Sequence, residues 1–393
     1  MPPADPWATG TSATGTWERR AAPDLGMDQA ALDAAVQFAI DNEIDWPIDL
    51  RQANVGQDAP QWAAKLGPMK DRGGPAGVVV KDGFIVAEWG DVERVDLTFS
   101  TTKSYISTVA GLAFDKGLIK STSDRVIEYE SGRSITMAGS GGSTGEQIDG
   151  FDTDQNRGVT WEHLLQQTSE WEGTLFSKPD IVDWNRDLAV VGMGVTGGAN
   201  HKERRRPGGH WEYNDVRVNR TALALLAVWG EPLPDVLKRE VMDPIGASAT
   251  WEWHGYGDHS TVNVDGLITE SVSGGAHWGG GLWISTIDHA RFGLLYLGRG
   301  RWGDRQIISE RWIDMMTTPC ELNDQYGYMW WLNTGPVRYR RYGRHASEST
   351  FAASGAGGNS VVIDPEKDLV VVTRWCEDVP GVVDLAAQAV GKR

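Results

Sequence analysis

A serine and a lysine three residues apart, Ser100 and Lys103, open the stretch 99–118 (FSTTKSYISTVAGLAFDKGL), and this is where covalent chemistry is best placed. Ile106, Val109, Ala110 and Ala113 recur at helical spacing, which predicts a helix over 100–115 with one buried face. Residues i and i+3 of a helix share a face, roughly 5 Å apart along the axis, so the amine lies beside the hydroxyl. The helix N-terminus adds free N–H groups and a partial positive charge. An unassisted hydroxyl is a poor nucleophile, and a desolvated lysine near other cationic groups can serve as its base. The same pair could equally be a helix cap and a solvated first-turn lysine. Two features favour chemistry. No other lysine in the chain has a serine three residues before it, and 77–89 reads as a strand hairpin able to deliver Ser100 from a sheet edge.

A second serine competes formally. Gly141-Gly142-Ser143-Thr144-Gly145 matches Gly-x-Ser-x-Gly, the nucleophile elbow of α/β-hydrolases. That motif needs a buried strand before it and a helix after it. Met137-Ala138-Gly139 and Glu146-Gln147-Ile148 supply neither, so the segment reads as a flexible, composition-biased loop.

Composition narrows the function further. The chain has 393 residues, enough for a large core in two lobes or one α/β unit. A net charge of −17 without a long basic run argues against nucleic acid or an anionic membrane surface as partner. Cys320 and Cys376 offer neither a disulfide framework nor metal spacing, and the histidines are scattered, so no metal or cofactor is expected. No apolar run approaches the roughly 18 residues of a membrane span. No signal peptide is visible in 1–20, which points to the cytoplasm, or to the periplasm if a signal has been removed.

The elements that must hold the pair follow from period and punctuation. Asp28 is a plausible cap for a helix carrying Leu32, Ala35, Val36, Ala39 and Ile40. Gly77-Val78-Val79-Val80 and Phe84-Ile85-Val86-Ala87 flank a Lys81-Asp82-Gly83 turn. Further helices are expected over 161–165, 221–229, 290–297 and 382–390, and strands over 360–364 and 369–375. The fold class is therefore α+β: an antiparallel sheet built from both ends of the chain, flanked by N- and C-terminal helices. The expected organisation is a loose arm (1–26), a sheet domain (27–119 with 271–393) and a mostly helical or irregular insertion (120–270).

Taken in order over roughly 27–390, these motifs resemble the serine β-lactamase and penicillin-binding-protein superfamily, most of all class C β-lactamases and family-eight carboxylesterases. The resemblance implies a β-lactamase/transpeptidase-like fold. It also implies that Ser100 of Phe99-Ser100-Thr101-Thr102-Lys103-Ser104 is acylated and that Lys103 helps deprotonate it. The family's second box, Tyr-x-Asn after a Pro-Gly pair, matches Pro207-Gly208 leading to Tyr213-Asn214-Asp215, with Asp215 where Asn is usual. Tyr213 could be general base and then general acid, or an aromatic core residue. Tyr256-Gly257-Asp258 has the same shape but no Pro-Gly before it. A carboxylate at Asp215 would favour the charged form of Lys103, making Tyr213 the better candidate base.

The third box, Lys-[Ser/Thr]-Gly, has no intact match. Ala353-Ser354-Gly355-Ala356 stands in its place, and Ala353 cannot hold a substrate carboxylate as the family's lysine does. Ser354 and Gly355 would border the substrate, and the N–H groups of Ala356 and Ser100 would form an oxyanion hole, unless the segment is only a glycine-rich turn. Trp171 and Trp278 are candidate walls of an acyl pocket, or simply packing. The implied activity is hydrolysis of a small-molecule ester or amide through an acyl-enzyme, a carboxylesterase first of all. A β-lactamase, an amidase or D-amino peptidase, and a binding or sensor relative without turnover remain open.

Overall fold

The computed structural model describes residues 17–53, 58, 62–183 and 203–391. Of the arm expected over 1–26, residues 1–16 lie outside the described residues. From Trp17 onward the arm is docked, not loose. Trp17 is buried and its indole N–H donates to the Gly83 carbonyl at 2.8 Å.

Helix α1 (Gln29–Asp41) starts at Asp28, whose carboxylate accepts from the Ala31 N–H at 3.1 Å. Strands β1 (Ala76–Lys81) and β2 (Phe84–Trp89) are joined by Asp82-Gly83, both at positive φ (49° and 83°), the geometry of a two-residue hairpin turn. Strand β3 (Asp96–Leu97) leads through a 3-10 turn, Phe99–Thr101, into α2 (Thr102–Asp115). Next come β4 (Ile135–Met137), α3 (Asp215–Trp229), β5 (Glu252–His254), β6 (Thr261–Val264), β7 (Leu267–Glu270) and β8 (Gly281–Ile284). Helices α4 (Thr286–Leu297), capped by Ser285, and α5 (Glu310–Met316) follow. Strands β9 (Trp331–Leu332), β10 (Phe351–Gly355), β11 (Asn359–Asp364) and β12 (Leu369–Arg374) precede the last helix, α6 (Val379–Ala389).

The main sheet has the order β9-β10-β11-β12-β1-β2 and is antiparallel throughout, so strands from the two ends of the chain meet at β12 and β1. Successive strand residues face opposite ways. Val79, Val362 and Val371 pack with α1 and α6, while Val78, Val361, Val370 and Val372 join the core that holds α2 and α4. Helices on both faces explain why these strands read as unbroken apolar runs without alternation. This is the α+β arrangement expected.

Two expectations need correction. The stretch 120–270 is not only helical and irregular: β4, β6 and β7 form a three-stranded sheet, and β5 pairs with β8. The signal lay in Val264-Asp265-Gly266-Leu267, where Asp265 and Gly266 adopt positive φ and turn a hairpin. Nor does α2 bury one face only, since from Thr102 to Ala113 every residue is buried. Two of its hydroxyls disguise this by bonding internally: Ser104 donates to the Met329 carbonyl and Thr108 to that of Ser104, both at 2.8 Å. No helix among the described residues is long and apolar enough to cross a membrane.

Candidate active site

Ser100 sits at the centre of the 3-10 turn between β3 and α2, and the turn is held from three sides. Phe99 adopts φ 50°, rare for a residue with a side chain, and its ring is fixed edge-on by Trp46 (5.7 Å) and Trp375 (6.3 Å). The Thr98 N–H donates to the Leu282 carbonyl at 3.0 Å, and Thr101 Oγ1 donates to that of Asn359 at 2.8 Å. The end of β10 presses on the same turn. A Cβ on Gly355 would lie 2.2 Å from the Thr98 oxygen and 2.9 Å from the Thr101 nitrogen. Only glycine permits that approach.

One helical turn on, the Lys103 side chain is almost wholly buried. Its Nζ lies 2.7 Å from Ser100 Oγ, 2.7 Å from Asp215 Oδ1 and 2.6 Å from the Gly274 carbonyl oxygen. Two hydrogen bonds and an ion pair thus surround the amine, an environment that favours the ammonium. The Tyr213 ring faces the same cation, with its centroid 4.8 Å from Nζ. The structure therefore brings Ser100, Lys103, Tyr213 and Asp215 together.

Tyr213 and Asp215 are placed by the start of α3. Asn214 caps it, accepting from the Arg217 N–H at 3.1 Å and donating to the Asp180 carbonyl at 2.8 Å. Asp183 accepts from the Asp215 N–H at 2.6 Å. Arg217, also buried, bonds Asp180 at 2.9 Å and Glu170 at 3.3 Å, which ties α3 to the preceding segment. Upstream, Gly208 turns at φ 79° with His163 so close that a Cβ would fall 2.7 Å from its Nε2. Burial lowers the pKa of that histidine. Tyr213 stacks on Trp331 (centroids 5.7 Å apart, planes at 25°) and meets Tyr326 edge-on at 6.3 Å. Nothing in the sequence had singled out Trp331.

The cleft over Ser100 is lined by Leu97, Phe99, Asp215, Ser273, Gly275, Trp278 and Gly279-Gly280-Gly281. Trp278 thus borders it, with its indole N–H 3.2 Å from Asp58 Oδ2. Trp171 does not. It is fully buried and donates to the Gly150 carbonyl at 3.0 Å, because its ring fills the core beneath the 150–173 loops. Ser354 lies on β10, bonded to the Tyr342 hydroxyl at 2.9 Å and to Ser360 Oγ at 3.2 Å. Ala353 is buried, and Ala356 begins the short turn after β10. The Tyr256 hydroxyl is engaged by Asn219 and Ser273, and burial pushes its pKa up. Ser143 stands exposed in the loop after β4, with no helix behind it.

A roomier recess of about 350 Å³ lies over Arg133, Phe151 and Arg220, where Arg220 is paired with Glu130. Cys320 and Cys376 are buried free thiols. Among the described residues no group of three or more His, Cys, Asp or Glu could hold a metal ion.

A strained turn thus presents a serine to a buried lysine, with a tyrosine and a carboxylate closing round them. The β-lactamase family model matches residues 63–384, and the chain belongs to that family of serine β-lactamase and penicillin-binding-protein hydrolases. It is similar to an Escherichia coli (strain K12) protein assigned as a D-alanyl-D-alanine carboxypeptidase, 24% identical over 195 residues, 42% of this chain and 45% of the relative. The chain thus spans less than half the length of that relative. Among solved structures it is similar to a Bacteroides dorei protein assigned as a β-lactamase (TM-score 0.59, 14% identity, 93% of this chain and 100% of the other). A family VIII carboxylesterase is also similar (TM-score 0.53, 18% identity, 80% and 91%). At such identities these two likenesses show the fold.

Proposed function

We propose that this protein is a carboxylesterase that works through an acyl-enzyme on Ser100. The observation that carries the reading is the set of three oxygens around Lys103. Hydrogen-bonded to Ser100 and Gly274 and ion-paired with Asp215, the lysine acts as an ammonium, and the proton of Ser100 needs another acceptor. Tyr213, whose ring lies against that cation, is the candidate. A neighbouring positive charge favours its phenolate. Ser100 Oγ bonds to the ester carbonyl carbon as its proton passes to Tyr213. The carbon–alkoxide bond then breaks, and Tyr213 returns the proton to the leaving alkoxide. Water repeats the sequence on the acyl-enzyme. The N–H groups of Ser100 and Ala356 are the proposed oxyanion donors.

Esters are favoured over penicillin-type substrates because Ala353 offers no cation where the third box normally has one. Gly355 and Ser354 are the proposed substrate-bordering residues on that side, and Trp278 the proposed apolar wall. Trp171 is left out of this proposal. Ser100→Ala should lower turnover of p-nitrophenyl butyrate by at least about 10³-fold while the melting temperature holds. A fluorophosphonate should give an adduct mapping to Ser100 by mass spectrometry. Faster turnover of nitrocefin or of a D-alanyl-D-alanine peptide than of the ester would replace carboxylesterase by lactamase or peptidase. A stoichiometric burst without turnover would make the protein a sensor.

A further inference from the structure

The Gly274 carbonyl is a backbone partner of Lys103, and the sequence offers no hint of it. The segment that carries it, 273–276, is wedged between α2 and α3. A Cβ on Gly274 would come within 2.6 Å of Val218 Cγ1 and 2.8 Å of Ile106 Cδ1. Gly275 runs at φ 148°, and a Cβ there would meet Asp215 Cγ at 2.5 Å. So close a fit leaves the direction of the carbonyl to whatever hydrogen bonds hold the peptide.

The peptide that carries the carbonyl is held at its own N–H, that of Gly275, by Ser273 Oγ at 3.1 Å, and Asn219 fixes the peptides on either side of it. Asn219 follows Asp215 by four residues on α3, so both side chains project from one face, a turn apart. Asn219 Oδ1 accepts from the Gly274 N–H at 2.9 Å, and its Nδ2 donates to the Gly275 carbonyl at 3.1 Å. The same Nδ2 donates to the Tyr256 hydroxyl at 2.9 Å, which also receives Ser273 Oγ at 2.6 Å. Asp215 Oδ2 meets the next N–H, that of Ala276, at 3.3 Å. The side chains of Asn219, Tyr256, Ser273 and Asp215 are buried, and Gly275 is half-buried at the cleft.

We infer that Asn219 is a positioning residue for the reaction: braced by Tyr256, it holds the Gly274 carbonyl on Lys103 and so keeps the lysine charged and aimed at Ser100. This rests on the serine-hydrolase reading above and extends it to residues that touch no substrate. The Tyr-Gly-Asp motif at Tyr256 thereby gains a role as a brace.

Among the described residues, the charged and titratable groups around Lys103 include Asp215 and Tyr213, with Tyr326, Tyr256 and Asp183 behind them. Burial raises the pKa of both Tyr326 and Tyr256, which keeps them neutral in any ordinary assay range. His277, beside the segment, is held down to about 4 by burial and by Lys178, and is likewise neutral.

The test compares wild type, Asn219→Leu, Asn219→Asp and Tyr256→Phe. It reads kcat and KM for p-nitrophenyl butyrate across pH, the rate of fluorophosphonate labelling at Ser100, and the melting temperature. Asn219→Leu should lower kcat and the labelling rate by about 10- to 100-fold with KM within about threefold. Its alkaline limb should move to lower pH, because an ammonium with one acceptor fewer gives up its proton more readily. Asn219→Asp keeps the acceptor for the Gly274 N–H and should recover most of the rate without that downward move.

Wild-type rate and limb in folded Asn219→Leu would overturn the inference. So would equal losses in the Leu and Asp variants with an unmoved limb, the mark of a merely structural residue. If Asn219→Leu does not fold, Tyr256→Phe decides: a smaller move in the same direction supports the brace, and an unmoved limb overturns it. A wild type that never labels at Ser100 would overturn the hydrolase reading itself, and this inference with it.

Discussion

Two serines in this chain carry motifs of nucleophiles, and they differ in everything except the motif. Ser143 has the longer formal match, glycines on both sides at the spacing of an elbow. It stands exposed on the loop after a three-residue strand, its N–H bonded to Glu146 Oε2 at 2.7 Å. Ser100 has only a lysine three residues on, yet its turn is strained at Phe99, pressed by Gly355 and backed by a buried ammonium. The proposed reactivity depends on a proton acceptor set against a buried cation, which glycine spacing alone cannot supply. The sharpest separation is the pair Ser100→Ala and Ser143→Ala, assayed side by side for loss of ester turnover.

The second largest effect should come from Tyr213→Phe. It keeps the ring on Trp331 and removes only the hydroxyl proposed to carry the proton, so kcat should fall about 10²- to 10⁴-fold with little change in melting temperature. A loss below about fivefold would move the base to Lys103 and weaken the contrast between the two serines, since a lysine alone would then suffice.

Gly355→Ala comes next and tests the pressure on the turn. The added methyl meets the Thr98 carbonyl, which belongs to backbone and cannot step aside cheaply. A stability loss of about 1–3 kcal/mol is expected by thermal denaturation. An accompanying drop in kcat of about tenfold or more should follow as Ser100 shifts. An active, stable variant would show that the turn tolerates what the contact distances forbid.

Asp215→Asn is milder, because an amide oxygen can still accept from Lys103. Its carboxylate favours the ammonium, so removing the charge lets Lys103 lose its proton at lower pH. The alkaline limb of kcat/KM should move down while the plateau changes by less than about tenfold. An upward move would contradict the charge placed on the lysine.

What could be read beforehand follows from how far apart the interacting residues lie. The β1–β2 hairpin was legible because Asp82-Gly83 states its own turn, and α1 because Asp28 caps it three residues away. Ser100 and Lys103 could be paired for the same reason, one helical turn being a local rule. The Asp265-Gly266 hairpin is equally local, its turn standing between Val264 and Leu267. Beyond reach were contacts such as Lys103 to Gly274, 171 residues apart, which exist only once α2 and α3 close on a glycine. Trp171 and Trp331 show the same limit. One tryptophan fills the core and the other stacks on Tyr213, and composition could not tell them apart.

Smallest of all should be the effect of Ser143→Ala, and it is the one that makes the comparison decisive. Its hydroxyl is exposed, and the bonds that shape the loop run through backbone: the Gly145 N–H to the Met137 carbonyl at 2.7 Å and the Glu146 N–H to that of Ser143 at 2.8 Å. Alanine keeps them all, so stability should stay within about 0.5 kcal/mol and ester turnover within about twofold. Fluorophosphonate labelling of this variant should match wild type and map to Ser100. An adduct on Ser143 in the wild-type protein, with turnover lost on Ser143→Ala, would show that an exposed hydroxyl had become the nucleophile without a base, and would reverse the assignment of the two serines.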